Sequence, residues 1–141
     1  MDHIVYLDHK AKELENLKSG KKTMIIRGAM GRKMPYGRVN PKDVLYFIEN
    51  KGDGLVEATA IVKEVFNSEK LEFDHSMDYV DKYQNRLLLD ERLIKRFGGK
   101  RYLVLITVEH VRSLDSFPID RSDYGNMDDW LPVGNIDAVK V

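Results

Sequence analysis

Two largely apolar segments joined by a four-residue turn restrict the fold of this chain more than any other feature of its sequence. The first covers residues 43–50 and the second residues 55–66. Residues 51–54, KGDG, lie between them and are typical of a β-hairpin turn. In the second segment the apolar positions 56, 58, 60 and 62 share one face, while the other face is mixed. The pattern predicts a strand that is partly covered on both faces.

The remaining segments predict further short strands and two or three helices. Asp8 is a candidate N-cap for a helix over residues 9–19, which Gly20 ends. Asp90 is the candidate N-cap of a second helix, which ends at Gly98. Residues 67–88 are polar and give no clear assignment, and the tail has too many turn residues for a long regular element. Strands are predicted at residues 4–7, 23–27 and 102–108.

Short strands with a few helices between them predict an α+β fold. The expected architecture is a small, mostly antiparallel β barrel with two or three flanking helices. A doubly wound parallel sheet is not expected, because strands and helices do not alternate regularly. The 141 residues are expected to form one domain, around which an acidic and aromatic C-terminal extension, residues 114–141, wraps.

Composition excludes several classes of protein. The chain contains no cysteine, which rules out disulfides and cysteine zinc sites. No segment approaches the roughly 20 apolar residues that a membrane helix needs. The N-terminal residues lack the basic and long apolar regions of a signal peptide. We therefore expect a cytoplasmic protein with no membrane partner. Its oligomeric state is not predicted.

Charge is distributed unevenly along a chain whose formal net charge is zero. Residues 16–42 contain eight basic residues and no acidic one, whereas residues 113–139 contain six aspartates and a single arginine. A cationic segment of this kind favours an anionic ligand, and RNA or a nucleotide is the expected partner. The alternative is that these are solvated surface charges that pair with the acidic tail.

Several residues of the basic segment have the chemistry of a nucleic-acid site. Lysines can reach phosphates, arginines present planar forks to phosphate or guanine, and a tyrosine can stack on an unpaired base. Glycines in the loop would let the backbone approach a ligand. The candidate binding residues are Lys21, Lys22, Arg27, Arg32, Lys33, Tyr36 and Arg38.

The acidic tail offers candidates for a base pocket. Tyr124 could line such a pocket, and Asp123, Asn126 or Asp128 could hydrogen-bond a polar base edge. Phe117 and Trp130 are interpreted as anchors of the tail in the core. The four histidines show no metal-ligand spacing, and no phosphate loop or dinucleotide fingerprint occurs. No metal or organic cofactor is therefore expected.

Three segments carry a resemblance to a known family. They are residues 20–27 (GKKTMIIR), 41–47 (PKDVLYF) and 99–105 (GKRYLVL). Over residues 8 to about 112 the chain resembles the ASCH domains, a branch of the PUA-like superfamily. Residues 117–132 resemble an archaeal PUA-like family of unknown function. The resemblance implies a pseudo-barrel whose cleft binds RNA, a nucleotide or a modified base.

The same resemblance implies an alternative function. Some bacterial ASCH proteins hydrolyse an N-acylated cytidine with a lysine, a threonine shortly after it, and a distant carboxylate. Lys22 matches the lysine, but Ile25 stands at the threonine position. Glu57 is the preferred candidate for the carboxylate, with Glu72 and Asp74 as alternatives. The alternative is therefore a small amidohydrolase acting on an N-acylated nucleoside. A third possibility is a protein-interaction module that uses the acidic tail.

Overall fold

The computed structural model describes residues 1–125 and 128–141. Its six strands are β1 (Asp2–Leu7), β2 (Met24–Ala29), β3 (Val44–Glu49), β4 (Leu55–Asn67), β5 (Tyr102–Pro118) and β6 (Trp130–Gly134). Its three α-helices are α1 (Glu13–Lys18), α2 (Phe73–Leu87) and α3 (Glu91–Phe97), and a short 3₁₀ helix covers Ile136–Ala138. None of the described helices is long and apolar enough to cross a membrane.

The strands form one curled sheet in the order β2-β5-β4-β3-β1-β6. The β1–β3 pair is parallel, and the other four pairings are antiparallel. The hairpin predicted from the sequence is β3–β4, and both glycines of its turn adopt positive φ. The predicted α+β architecture, a mostly antiparallel pseudo-barrel with flanking helices, is confirmed.

Two long, irregular strands bend the sheet. The pairing of β4 with β5 shifts register at three points, and such bulges bend a strand and increase its twist. The bend brings the edge strand β2 close to β1, which is the next-to-last strand at the opposite side of the sheet. Arg27 on β2 donates to the carbonyl of Tyr6 on β1 at 2.7 Å, so one arginine side chain connects the two sides.

The apolar interior consists of three clusters. The first lies inside the curled sheet and includes Ile25, Phe47 and Trp130. The second lies between the sheet and helices α2 and α3, and includes Val80 and Leu93. The third fills the end near β6. Trp130 is 1% exposed, and Phe117 packs against the third cluster, so both tail aromatics are anchored as expected.

Some local predictions need correction. Helix α1 begins at Glu13 and not at residue 9, because the Asp8 carboxylate accepts from the Ala11 amide within a preceding turn. Helix α2 fills the unassigned segment. Strand β5 continues to Pro118, well beyond residue 108, with its outer part more exposed. Asp90 does cap α3, since its side chain accepts from the Leu93 amide.

Candidate functional site

A cleft of about 400 Å³ opens where β2, the loop after it, and the end of α3 meet. Its described lining combines four cations with aromatic and small residues. The cations are Arg27, Lys33, Arg96 and Lys100. Aromatic rings are contributed by Tyr36, Phe97 and Tyr102, and one carboxylate by Asp129. The volume falls within the range of small-molecule pockets, so it suits one nucleotide better than a duplex.

Gly28 explains why α3 can approach β2 so closely. A Cβ atom at this position would lie 2.5 Å from the carbonyl oxygen of Phe97 and 3.2 Å from Cγ of Lys100. Only a residue without a side chain therefore allows the end of α3 to pack on this strand. The close approach places Phe97 and Lys100 in the lining of the cleft.

Arg27 forms the fixed floor of the cleft. It is 6% exposed, and its two terminal nitrogens donate to the backbone carbonyls of Ile26 at 2.9 Å and Tyr6 at 2.7 Å. Its guanidinium also lies 5.3 Å from the ring centroid of Phe97 and 5.6 Å from that of Trp130. Among the described residues its buried Nε has no hydrogen-bond partner. The guanidinium of Arg27 is therefore held rigidly, and its Nε–H donor makes no hydrogen bond to the described residues.

The opposite wall is aromatic. The rings of Tyr36 and Tyr102 meet edge to face with their centroids 5.5 Å apart. The Tyr36 hydroxyl donates to the carbonyl of Ser68, which ties the loop after β2 to the end of β4. The guanidinium of Arg32 lies 5.7 Å from the Tyr36 ring centroid and 5.4 Å from that of Tyr102. An exposed cation is thus held beside an aromatic pair, a combination suited to an unpaired base and its phosphate.

Asp129 brings a negative charge into the cationic lining. Its Oδ2 lies 3.1 Å from Nη2 of Arg96 and 3.4 Å from Nε of Arg27. The position of Asp129 is fixed by its backbone, because its carbonyl accepts from the Tyr6 amide at 2.9 Å. The tail therefore neutralises part of the cleft through one carboxylate.

The cleft collects some of the predicted binding residues and leaves others out. Arg27, Lys33 and Tyr36 line it, and Arg32 lies against its aromatic wall. Lys21 and Arg38 are exposed and do not line it. In the tail, Asp123 is exposed and Tyr124 packs against the third apolar cluster, so neither reaches the cleft. Asn126 lies outside the described residues.

Lys22 and Glu57 are not brought together. Lys22 is 1% exposed, its Nζ lies 3.4 Å from Glu13 Oε2, and it donates to the carbonyl of Leu87. Burial lowers the pKa of the Lys22 amine below its ordinary value, an effect that Glu13 opposes. Glu57 instead accepts from Lys51 Nζ at 2.8 Å. Across the described residues, no hydrogen bond or ion pair joins Lys22 to Glu57.

The acidic tail does not neutralise the basic segment as a whole. In residues 1–125 and 128–141, only Lys22 and Arg27 of the eight basic residues form an ion pair, and only the partner of Arg27 belongs to the tail. The other six, as far as the structure describes them, have no carboxylate within 4.0 Å; they are Lys18, Lys21, Arg32, Lys33, Arg38 and Lys42.

Among the charged and aromatic residues of the described lining, sequence reasoning missed five: Arg96, Phe97, Lys100, Tyr102 and Asp129. The signal for Tyr102 and Lys100 was the pairing of β2 with β5, in which Ala29 faces Tyr102. That register places the start of β5 beside the glycine-containing loop. No local pattern marks Asp129, whose position depends on the distant pairing of β6 with β1. No group of three or more potential metal ligands occurs among the described residues.

Comparison with solved structures identifies the fold. An ASCH protein from Zymomonas mobilis superposes with a TM-score of 0.67 at 13% identity, over 92% of this chain and 85% of that one. A hypothetical protein, PH0355, superposes with a TM-score of 0.54 at 16% identity, over 81% of this chain and 100% of that one. No protein-family model and no curated protein sequence matches the chain. The chain thus has the ASCH type of PUA-like fold.

Proposed function

We propose that this protein binds single-stranded RNA, with one base against the aromatic wall of the cleft and the neighbouring phosphates on its cations. The observation that carries the proposal is the joining of Lys33, Lys100 and the Tyr36–Tyr102 pair in one concave site. The ASCH type of fold supports it, because this resemblance implies RNA or nucleotide binding.

Each part of the cleft has a separate role in this proposal. Lys33 and Lys100 are mobile point charges that attract phosphates, and Arg32 adds a planar cation beside the rings. The tyrosines provide a stacking surface, which any base can use because every base has a π face. Arg27 acts mainly as a rigid support, since both of its terminal nitrogens are engaged by the backbone.

The test is the affinity of a fluorescent single-stranded RNA decamer, measured by anisotropy for two double variants of equal charge. Lys33→Ala/Lys100→Ala removes two cations from the cleft and is expected to weaken binding roughly tenfold. Lys21→Ala/Arg38→Ala removes two exposed cations outside it and is expected to change the affinity less than about twofold. Equal losses in both variants would show that RNA binds to general surface charge and not to this cleft.

A competition arm distinguishes RNA from a single nucleotide. A mononucleotide can occupy the base site but makes few phosphate contacts, so it is expected to displace the decamer only at much higher concentration. If the mononucleotide competes as well as the decamer does, the ligand is a nucleotide and the proposal of RNA is wrong.

The amidohydrolase alternative remains a prediction that the contacts of its residues do not favour. Lys22 is engaged by Glu13 and the Leu87 carbonyl, while Glu57 is engaged by Lys51. A buried lysine that supports a carboxylate is expected to matter for folding more than for catalysis. Turnover of N4-acetylcytidine that Lys22→Met abolishes without unfolding the protein would restore this alternative.

A further inference from the structure

Asp129 is the only acidic residue in the described lining of the cleft. Its side chain is 26% exposed, so it is accessible to a ligand. Oδ2 faces Arg96 and Arg27, but Oδ1 accepts no hydrogen bond from any residue in 1–125 or 128–141. Oδ1 of Asp129 can therefore still accept a hydrogen bond, and it lies among the cations of the cleft.

A site that only attracts phosphate gains nothing from this carboxylate, because the carboxylate repels the ligand and weakens the local positive potential. Ion pairing with the buried Arg27 accounts for Oδ2, which lies 3.4 Å from Arg27 Nε. Arg96 has a side-chain exposure of 49%, so water solvates it without a carboxylate partner. Neither arginine accounts for Oδ1, which remains able to contact a ligand.

An ionised carboxylate can only accept hydrogen bonds. It therefore favours a base edge that carries an N–H donor and disfavours one that presents a carbonyl oxygen. Cytosine carries an amino group where uracil carries a carbonyl, and aspartate accepting from that amino group is an established form of base recognition. The two bases are otherwise nearly the same in shape, so one acceptor can separate them.

We propose that Asp129 makes the cleft selective for bases with an exocyclic amino group over uracil. This inference rests on the proposed binding of single-stranded RNA and names the class of base that the site prefers. The arginines beside Oδ2 hold the carboxylate in place, while Oδ1 receives the amino group.

The test compares decamers of cytidine, uridine and N4,N4-dimethylcytidine, which retains the ring but has no N–H at this position. The unmodified protein is expected to bind the cytidine decamer at least about fivefold more tightly than either of the others. Asp129→Asn, which can both donate and accept, is expected to reduce the cytidine-to-uridine ratio to near one. Asp115→Asn removes the same charge from an exposed position on β5 outside the cleft lining and is expected to leave the ratio unchanged.

Each contrary result identifies what is wrong. If the unmodified protein binds all three decamers equally, it binds RNA but Asp129 does not select the base. If Asp129→Asn strengthens binding to all three by the same factor, the carboxylate only screens the cations and the inference is overturned. If no decamer binds, the proposed function itself fails. If Asp129→Asn does not fold, equal binding of the cytidine and dimethylcytidine decamers still overturns the inference.

Discussion

A buried histidine makes the stability of this fold depend on pH in a way that can be calculated. His3 on β1 is fully buried and lies between Trp130 and Asp43. The Trp130 indole can only donate, so it donates to His3 Nδ1 at 3.1 Å, and this nitrogen must carry no proton. The proton is then on Nε2, which donates to Asp43 Oδ2 at 2.8 Å. The contacts fit the neutral imidazole.

The pKa of His3 is lowered from its ordinary value because burial disfavours the charged ring, although Asp43 opposes the effect. In the unfolded chain the histidine has a pKa of about 6.5. Between that value and the lower folded one, the unfolded state binds one more proton than the folded state does. The stability from neutral His3 is therefore complete above pH 6.5 and is lost as the pH falls, at about 1.4 kcal/mol per pH unit.

The assay is urea unfolding at pH 7.5, 6.5, 6.0 and 5.5, followed by the fluorescence of the single tryptophan, Trp130. His3→Gln cannot titrate, and its free energy of unfolding is expected to fall less steeply below pH 6.5 than that of the unmodified protein. His75→Gln, at an exposed position, is expected to retain the full slope. The comparison between variants removes the contribution of the carboxylates. Equal slopes for His3→Gln and the unmodified protein would refute the reasoning.

Three further predictions concern the residues that shape the cleft and its support. Lys22→Ala is expected to lower the free energy of unfolding by about 3–5 kcal/mol, because it leaves the buried Glu13 unpaired. In urea unfolding the double variant Glu13→Gln/Lys22→Met should recover part of that loss. Equal stability of Lys22→Ala and the double variant would contradict the ion-pair role. Gly28→Ala is expected to lower the free energy of unfolding by about 1–3 kcal/mol, because its Cβ would clash with the Phe97 carbonyl. The control is Gly31→Ala, where a Cβ meets open space. Equal thermal midpoints for the two variants would argue against the close approach of α3 to β2. Tyr102→Leu is expected to weaken RNA binding by about 1–3 kcal/mol through lost stacking, and unchanged affinity in the anisotropy assay would remove Tyr102 from the base site.

The sequence predicted those parts of the fold that depend on local patterns. The β3–β4 hairpin followed from two glycines between alternating apolar segments, and the Asp90 cap followed from one side chain at the start of a helix. Helix α2 was missed because its polar face dominates residues 67–88, and its few buried positions, such as Val80, give a weak signal. Local patterns thus identified five of the six described strands and two of the three described α-helices, and missed β6 and α2.

The sequence predicted only some residues of the candidate site, because the others come from distant parts of the chain. The cations of residues 16–42 were visible as a run of like charge, and Arg27, Lys33 and Tyr36 do line the cleft. Which other residues join them depends on long-range pairing. His3 and Trp130 are 127 positions apart in sequence, yet their hydrogen bond is part of the arrangement that brings Asp129 beside Arg27. No local pattern in a single sequence predicts such long-range contacts.

The salt dependence of RNA binding tests most directly whether the cations of this cleft hold phosphates. For a single-stranded decamer, the logarithm of the association constant should fall linearly with the logarithm of the salt concentration, at about −0.7 per neutralised phosphate. Lys33→Ala/Lys100→Ala should make that slope shallower by about 1.4, the sum of two such contacts. Lys21→Ala/Arg38→Ala should leave it close to that of the unmodified protein. A slope near zero for the unmodified protein, or the same change in both double variants, would contradict the account.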